Sequence, residues 1–272
     1  MTNREQSLED RSYVVVGGTT GLGLSAARAL VAQGAAVVVV GRSAESARAA
    51  EQTLGERARA VVGDATDGSV SEAAVAEAVK RGGRLDGLYH VAGGSGRKHG
   101  DGPLHEVTAE GIDFTLSLNL GSMILSNRAA VQRFQTQGGG GVILNMGSVL
   151  GYSPSAKFFA THVYAAAKSA IVGYTRSVAA YYAADNIRAN VIAPALVETP
   201  MAQRAAQDDT IQAFIKTKQP LDGGRIGRPE DLDDAAVFLL GPGSAFVTGQ
   251  VLAVDGGWTV SEGQLPEGVD GG

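Results

Sequence analysis

The stretch Val16-Gly17-Gly18-Thr19-Thr20-Gly21-Leu22-Gly23 decides how the rest of the chain is read. Tyr13-Val14-Val15-Val16, a short β-branched run with strand character, leads into it. After it, Leu22, Ala26, Ala29 and Leu30 recur at helical spacing, and Gly34 stands where a helix would end. A glycine-rich turn between strand and helix lets backbone approach a pyrophosphate closely. The helix N-terminus then offers free N–H groups and a positive dipole end to the anion. The plainer alternative is an ordinary βα turn. Its position in the first βα turn of a βαβ unit favours dinucleotide binding, with Gly17, Thr19, Thr20, Gly21, Leu22 and Gly23 as contacts.

Outward from this turn the chain alternates strand and helix. Strands are predicted at 37–40, 59–63, 85–91, 142–146, 187–193 and 251–254, and helices at 43–54, 69–81, 162–184 and 231–240. A longer helical stretch runs from 108 to 137 and stops at four consecutive glycines, Gly138 to Gly141. The strands are nearly continuous apolar runs, the mark of a parallel sheet covered on both faces. These features predict an α/β chain: one doubly wound parallel sheet of seven strands, a Rossmann fold, in a single domain over 1–272. Residues 1–11 and 262–272 read as poorly ordered ends.

Composition narrows the function. The 272 residues include 38 glycines and no cysteine, with 44% apolar and 19% charged residues and a net charge of −5. Without cysteine there is no disulfide framework, thiolate metal site or cysteine nucleophile. The mild acidity argues against a nucleic-acid partner. Arg97-Lys98-His99 is the only tight basic cluster and reads as a solvated loop. No apolar run approaches the ~18 residues that span a bilayer, and the polar N-terminus lacks a signal-peptide core. The expectation is a cytoplasmic protein with no membrane association. No histidine pair has zinc-site spacing, so no metal is expected, and His99 and His105 read as loop residues. Glu198 and the pair Asp208-Asp209 read as solvated surface.

Two further positions carry chemistry. The second strand ends in Val40-Gly41-Arg42-Ser43. Where an NAD site places an acidic residue for the ribose 2′-hydroxyl, Gly41 stands, followed by Arg42. A guanidinium matches a 2′-phosphate bidentately, so NADP(H) is expected over NAD(H), with Arg42 and Ser43 at the phosphate. Tyr164-Ala-Ala-Ala-Lys168 places a phenol and an ammonium one turn apart on one helix face. An unperturbed Tyr, near pKa 10, exchanges protons poorly at neutral pH. A neighbouring ammonium lowers that pKa and fits Tyr for general acid/base work. Ser148, just past the strand 142–146, is expected at the carboxyl edge of the sheet, where it can orient a substrate oxygen. Alone, the Tyr–Lys pair has a plain alternative as a helix surface contact. Its order after a nucleotide loop and Ser148 is more specific.

With these motifs in order, the sequence resembles the short-chain dehydrogenase/reductase family, in its common branch of about this length, from Ser12 to about Glu262. In the resemblance, Asp64 and Ala65 match the adenine contact, and Ala92-Gly93 the end of an Asn-Asn-Ala-Gly motif. Asn119, Ser148, Tyr164 and Lys168 match the catalytic tetrad, and Pro194 to Thr199 the segment beside nicotinamide, with Val197 and Thr199 as contacts. It implies a hydride transferred between nicotinamide and a small-molecule secondary alcohol or ketone. Tyr164 is then the acid/base, Lys168 lowers its pKa and holds the nicotinamide ribose, Ser148 polarises the substrate oxygen, and Asn119 supports a water-linked proton path. Alternatives are the same chemistry with NAD, a non-catalytic cofactor-binding regulator, and an epimerase or dehydratase, for whose larger C-terminal domain the chain leaves no room. The sequence departs from the family at Val16, His90-Val91 and Ala195.

The resemblance also implies a substrate lid over 196–221. Ser148 and Tyr164 are sixteen residues apart, which enlarges the loop between them. There Phe158, Phe159 and His162 read equally as pocket lining or packing. The helix 163–184 is small or apolar all round, so a second face is expected against a partner subunit. The resemblance agrees, implying a homotetramer or homodimer.

Overall fold

Valine-rich runs become strands here because β-branched side chains fill both faces of a covered sheet. The computed structural model describes residues 8–199, 202 and 207–264. Its strands are β1 (Ser12–Val16), β2 (Ala36–Gly41), β3 (Ala58–Val62), β4 (Gly87–His90), β5 (Gly141–Met146), β6 (Ile187–Pro194) and β7 (Val251–Val254). All seven are parallel, in the order β3-β2-β1-β4-β5-β6-β7. β1 is buried throughout, and each of its three buried valines contributes about 1.5–3 kcal/mol of burial energy. The predicted doubly wound sheet is therefore the observed one.

The helices are α1 (Gly21–Ala32), α2 (Ala44–Leu54), α3 (Gly68–Gly82), α4 (Ala109–Leu116), α5 (Ser122–Gln137), α6 (His162–Tyr182), α7 (Asp209–Lys218) and α8 (Asp233–Leu240). Two cores flank the sheet. Leu30, Leu54, Leu239 and Leu240 pack on one face, and Val75, Ala78, Ala130 and Phe134 on the other. Ser43 caps α2, accepting from the Ser46 amide at 3.4 Å.

The structure refines three expectations. The helical stretch 108–137 is divided by a π-helical turn, Ser117–Gly121, whose buried residue is Asn119. Leu8, inside the N-terminal stretch expected to be poorly ordered, is fully buried in the core, because its backbone N–H reaches the carbonyl of Gln33 at 2.9 Å. Residues 1–7 and 265–272 lie outside the described residues. The segment 261–264 is tied to α7, with the Gln264 amide 2.7 Å from Thr217 Oγ1.

The order reverses between β1 and β4, so their carboxyl ends open the crevice where this fold receives ligands. The glycine turn leaves β1 there, and Ala92-Gly93 leaves β4 beside it. Ser148 follows β5, and Ala195 to Thr199 follow β6. Among the described residues, no helix is long and apolar enough to cross a membrane.

Candidate active site

At the end that bears the glycine turn, the cradle is made of backbone. Gly17 has φ +82°, and a Cβ there would stand 2.6 Å from the Ala92 amide nitrogen. A Cβ on Gly23 would stand 2.1 Å from the Gly17 carbonyl oxygen. The chain therefore closes into a turn that only glycines permit. Thr20 at the start of α1 makes no side-chain cap, and no acidic residue occupies the first turn. The N–H groups there stay open to an anion. Thr19 is buried and Thr20 exposed at the rim.

The end of β2 faces the same turn. A Cβ on Gly41 would lie 2.2 Å from Thr19 Oγ1, so an acidic side chain does not fit at Gly41 without displacing Thr19. Ser46 Oγ donates to Thr19 Oγ1 at 3.3 Å. Arg42 is exposed, and its charge helps to hold the Asp64 carboxyl below its ordinary range, behind the larger effect of hydrogen bonds from Thr66. Asp64 is exposed with Ala65 buried beside it, and Asp64 Oδ1 accepts from the Thr66 amide at 2.9 Å. Arg42, Asp64 and the glycine turn thus share one rim.

At the other end four side chains converge. Lys168 is 3% exposed and donates to the carbonyl of Met146, at the end of β5, over 2.8 Å. Its Nζ lies 5.5 Å from the centroid of the Tyr164 ring. Ser148 is buried and hydrogen-bonds Tyr164. Asn119 is fully buried in its π turn. Its Oδ1 accepts from the Gly94 amide at 3.0 Å, while its Nδ2 donates to the carbonyls of Gly94 and Thr115, both at 2.9 Å. A Cβ on Gly93 would lie 2.7 Å from Asn119 Oδ1 and 3.4 Å from Lys168 Nζ, so Gly93 leaves the space between them open.

Burial governs the protonation states of this pair. Burial pushes the Tyr164 phenol up to about 12, and the hydrogen bond from Ser148 only partly opposes it. Burial pushes the Lys168 ammonium down to about 8. Burial is the first cause of both shifts, and the Lys168 ammonium donates to the Met146 carbonyl.

The segment after β6 is clamped. The Leu196 amide donates to Gln219 Oε1 at 3.0 Å, and Gln219 Nε2 returns a bond to the Leu196 carbonyl at 3.1 Å. Val197 bridges to Gly227 and is buried, and Thr199 Oγ1 donates to the Val197 carbonyl at 3.4 Å. Of the expected lid, residues 200, 201 and 203–206 lie outside the described residues. Its remainder includes α7, whose Ile211, Phe214 and Ile215 are buried. Asp208 is no idle surface group, since its Oδ1 accepts from the Thr210 and Ile211 amides at 3.0 and 3.1 Å and caps α7.

Phe158 and Phe159 resolve toward packing. Phe158 lies 5.0 Å from Phe214 and Phe159 6.0 Å from Trp258 between centroids, whereas His162 is exposed. At the family departure on β4, His90 is buried between Ser126 Oγ at 2.8 Å and the Ala92 carbonyl at 3.0 Å. A histidine with two hydroxyl neighbours, Ser126 and Ser122, ties the sheet to α5 there.

A family model described as enoyl-(acyl carrier protein) reductase matches residues 16–259. The chain is a short-chain dehydrogenase/reductase. The cis-4-hydroxycyclohexanecarboxylate dehydrogenase of Sinomonas cyclohexanicum is 35% identical to it, over 93% of this chain and 98% of that protein. The inactive 2-(S)-hydroxypropyl-CoM dehydrogenase 2 of Xanthobacter autotrophicus is 37% identical, over 86% and 99%. The structure of a short-chain type dehydrogenase/reductase from Mycobacterium ulcerans superposes with a TM-score of 0.85 at 31% identity, covering 94% of this chain and 92% of that one.

Two partners in this short-chain dehydrogenase/reductase site escaped sequence reasoning. Gln219 clamps the strand exit from twenty-three residues away, and Asp101 reaches the start of α6 from a loop. Neither sits in a motif, and their partners are distant in the chain.

Proposed function

We propose that this protein is an oxidoreductase that uses NADP(H) in preference to NAD(H) and interconverts a secondary alcohol and a ketone. One observation carries the proposal. Ser148, Tyr164, Lys168 and Asn119 converge at the carboxyl edge of the sheet that also bears a glycine cradle open to a pyrophosphate. That cradle, with Arg42 and Ser43 at its rim and Lys168, Val197 and Thr199 at its far end, suits a nicotinamide dinucleotide, which when bound supplies or accepts the hydride. Pro194, paired with Val254 at the end of β6, starts the segment that would flank the nicotinamide.

The residues of the chain handle the proton. At neutral pH the Tyr164 phenol keeps its proton, the state from which it donates to a carbonyl oxygen. Ser148 orients that oxygen. Lys168, with a pKa near 8, exchanges protons close to neutrality and can restore the one Tyr164 gives up. Asn119, locked between Gly94 and Thr115, holds the inner wall of the proton path. Preference for NADP(H) rests on the steric exclusion of an acidic residue at Gly41 and on Arg42 beside it. The alcohol-and-ketone assignment is supported by the ring alcohol named for the Sinomonas relative.

The inactive Xanthobacter relative keeps a cofactor-binding protein without turnover in view. A buried, protonated phenol bonded to Ser148 beside Lys168 favours turnover, since a binder needs no acid/base group. The test is an absorbance screen of NADPH oxidation with ketones, sugars, steroids and acyl carbonyls, repeated with NADH. Turnover with a ketone supports the assignment, and the absence of turnover overturns it. Use of NADH better by about tenfold or more overturns the NADP(H) preference.

Two attributes belong to the same proposal. Segment 196–221 acts as a lid, and protease protection there increases with cofactor and substrate; unchanged cleavage refutes it. Fully exposed Phe246 and largely exposed Tyr181 support a homodimer or homotetramer, which a monomer by light scattering would refute.

A further inference from the structure

The loop from Gly94 to Asp101 holds two of the four convergent side chains at once. At its start, the backbone of Gly94 exchanges hydrogen bonds with the Asn119 side chain in both directions. At its end, the Asp101 carboxylate receives the first amides of the helix that carries Tyr164. Oδ1 accepts from the Val163 N–H at 3.0 Å, and Oδ2 from the Tyr164 N–H at 2.9 Å. Thr161, the residue at the cap position, makes no side-chain cap of its own. The capping group of α6 therefore comes from more than sixty residues upstream.

Asp101 is 1% exposed, and among the described residues no ion pair involves it. A buried carboxylate without a cation is costly unless N–H donors and a helix dipole compensate it. Two amides of α6, those of Val163 and Tyr164, donate to it, and the positive end of that helix faces it. Those bonds are thus obligatory for the loop as well as for the helix. The loop is pinned elsewhere too. The His99 ring stacks on Phe114 of α4 at 3.6 Å, the Gly100 carbonyl accepts from the Thr108 amide at 3.1 Å, and the Asp101 amide donates to the Gly96 carbonyl at 3.1 Å.

We propose that Asp101 is a positioning residue: through the amides of Val163 and Tyr164 it sets where the Tyr164 phenol stands relative to Asn119, Ser148 and Lys168. The inference rests on the proposed acid/base role of Tyr164. It assigns Asp101 no contact with substrate or cofactor. The loop acts as a strap whose two fastenings fix the distance between Asn119 and Tyr164.

The test compares Asp101→Ala and Asp101→Asn with Asp67→Ala, which removes an exposed, local side-chain cap from α3, where Asp67 Oδ1 accepts from the Ser69 amide at 2.9 Å. For Asp101→Ala, kcat is expected to fall about 10- to 100-fold, because small misplacement of a reacting group is costly. Cofactor affinity by fluorescence titration is expected to stay within about twofold, the split that marks lost transition-state positioning. Asp101→Asn keeps an acceptor oxygen and is expected between the two, and Asp67→Ala keeps the parent kcat. Amide hydrogen exchange at Val163 and Tyr164 speeds up in both Asp101 variants and not in Asp67→Ala. The inference is overturned by a parental kcat in Asp101→Ala, by an equal loss in Asp67→Ala, or by unchanged exchange at both amides. If Asp101→Ala does not fold, Asp101→Asn decides by the same two readouts. The exchange measurement needs no substrate, so it separates failure of this inference from failure of the Tyr164 assignment, which an active Tyr164→Phe enzyme would show.

Discussion

The two ends of the cleft are held by different means. At the nucleotide end, the shape comes from side chains that are missing: Gly17, Gly23 and Gly41 leave room that any Cβ would fill. At the end that carries Tyr164, the shape comes from side chains that are present and fully engaged, with Lys168 on Met146, Asn119 on Gly94 and Thr115, and Asp101 on α6. The first end tolerates no addition, and the second no removal. Substitutions at the two ends should therefore fail in different ways.

The largest effect is expected at the second end. Tyr164→Phe keeps the ring and loses the proton, so kcat should fall about 10²- to 10⁴-fold while cofactor affinity is retained. Near-normal turnover in that variant would break the contrast. Next is Gly17→Ala, which forces a Cβ against the Ala92 amide at a positive φ. Strain of about 1–3 kcal/mol is expected, read as a lower unfolding midpoint, together with weaker cofactor binding. A variant with parental stability and affinity would mean that the cradle yields more readily than its contacts imply.

Arg42→Ala sharpens the comparison within the nucleotide end. It should raise KM for NADPH about tenfold, the scale of one charge-assisted pair, and leave KM for NADH nearly unchanged. An equal effect on both would place Arg42 outside 2′-phosphate recognition. The smallest effect concerns His90. Burial, with the Lys168 charge adding to it, lowers its pKa from 6.5 to about 3. Between those values the unfolded chain binds a proton that the folded chain refuses, so stability falls as pH drops from about 6.5 toward 3. His90→Asn should flatten that decline in a thermal-melting series, and an identical slope would count against it.

The same contrast explains what could be read from residues alone. The sheet was legible because each strand is one local apolar run, and the glycine turn because glycines, a strand and a helix are contiguous. Tyr164 and Lys168 were legible because a helix brings them together at a spacing of four. Asp101 and Gln219 were not, since each meets its partner only after the chain has folded back. The π turn at Asn119 was also hidden, because Ser117–Gly121 has no glycine or proline inside it to interrupt a helical pattern before Gly121. The direction of the Tyr164 shift depends on how much water burial removes, which spacing does not report.

The chain contains one tryptophan, Trp258. It is 1% exposed, its indole N–H donates to the Ser153 carbonyl at 3.0 Å, and Phe159 and Phe214 lie against it. It therefore touches the loop between Ser148 and Tyr164 and helix α7 at once. Its emission comes from this single place in the molecule. Any rearrangement of loop against helix changes the polarity and quenching around that indole, so the native protein carries its own optical reporter and needs no attached dye.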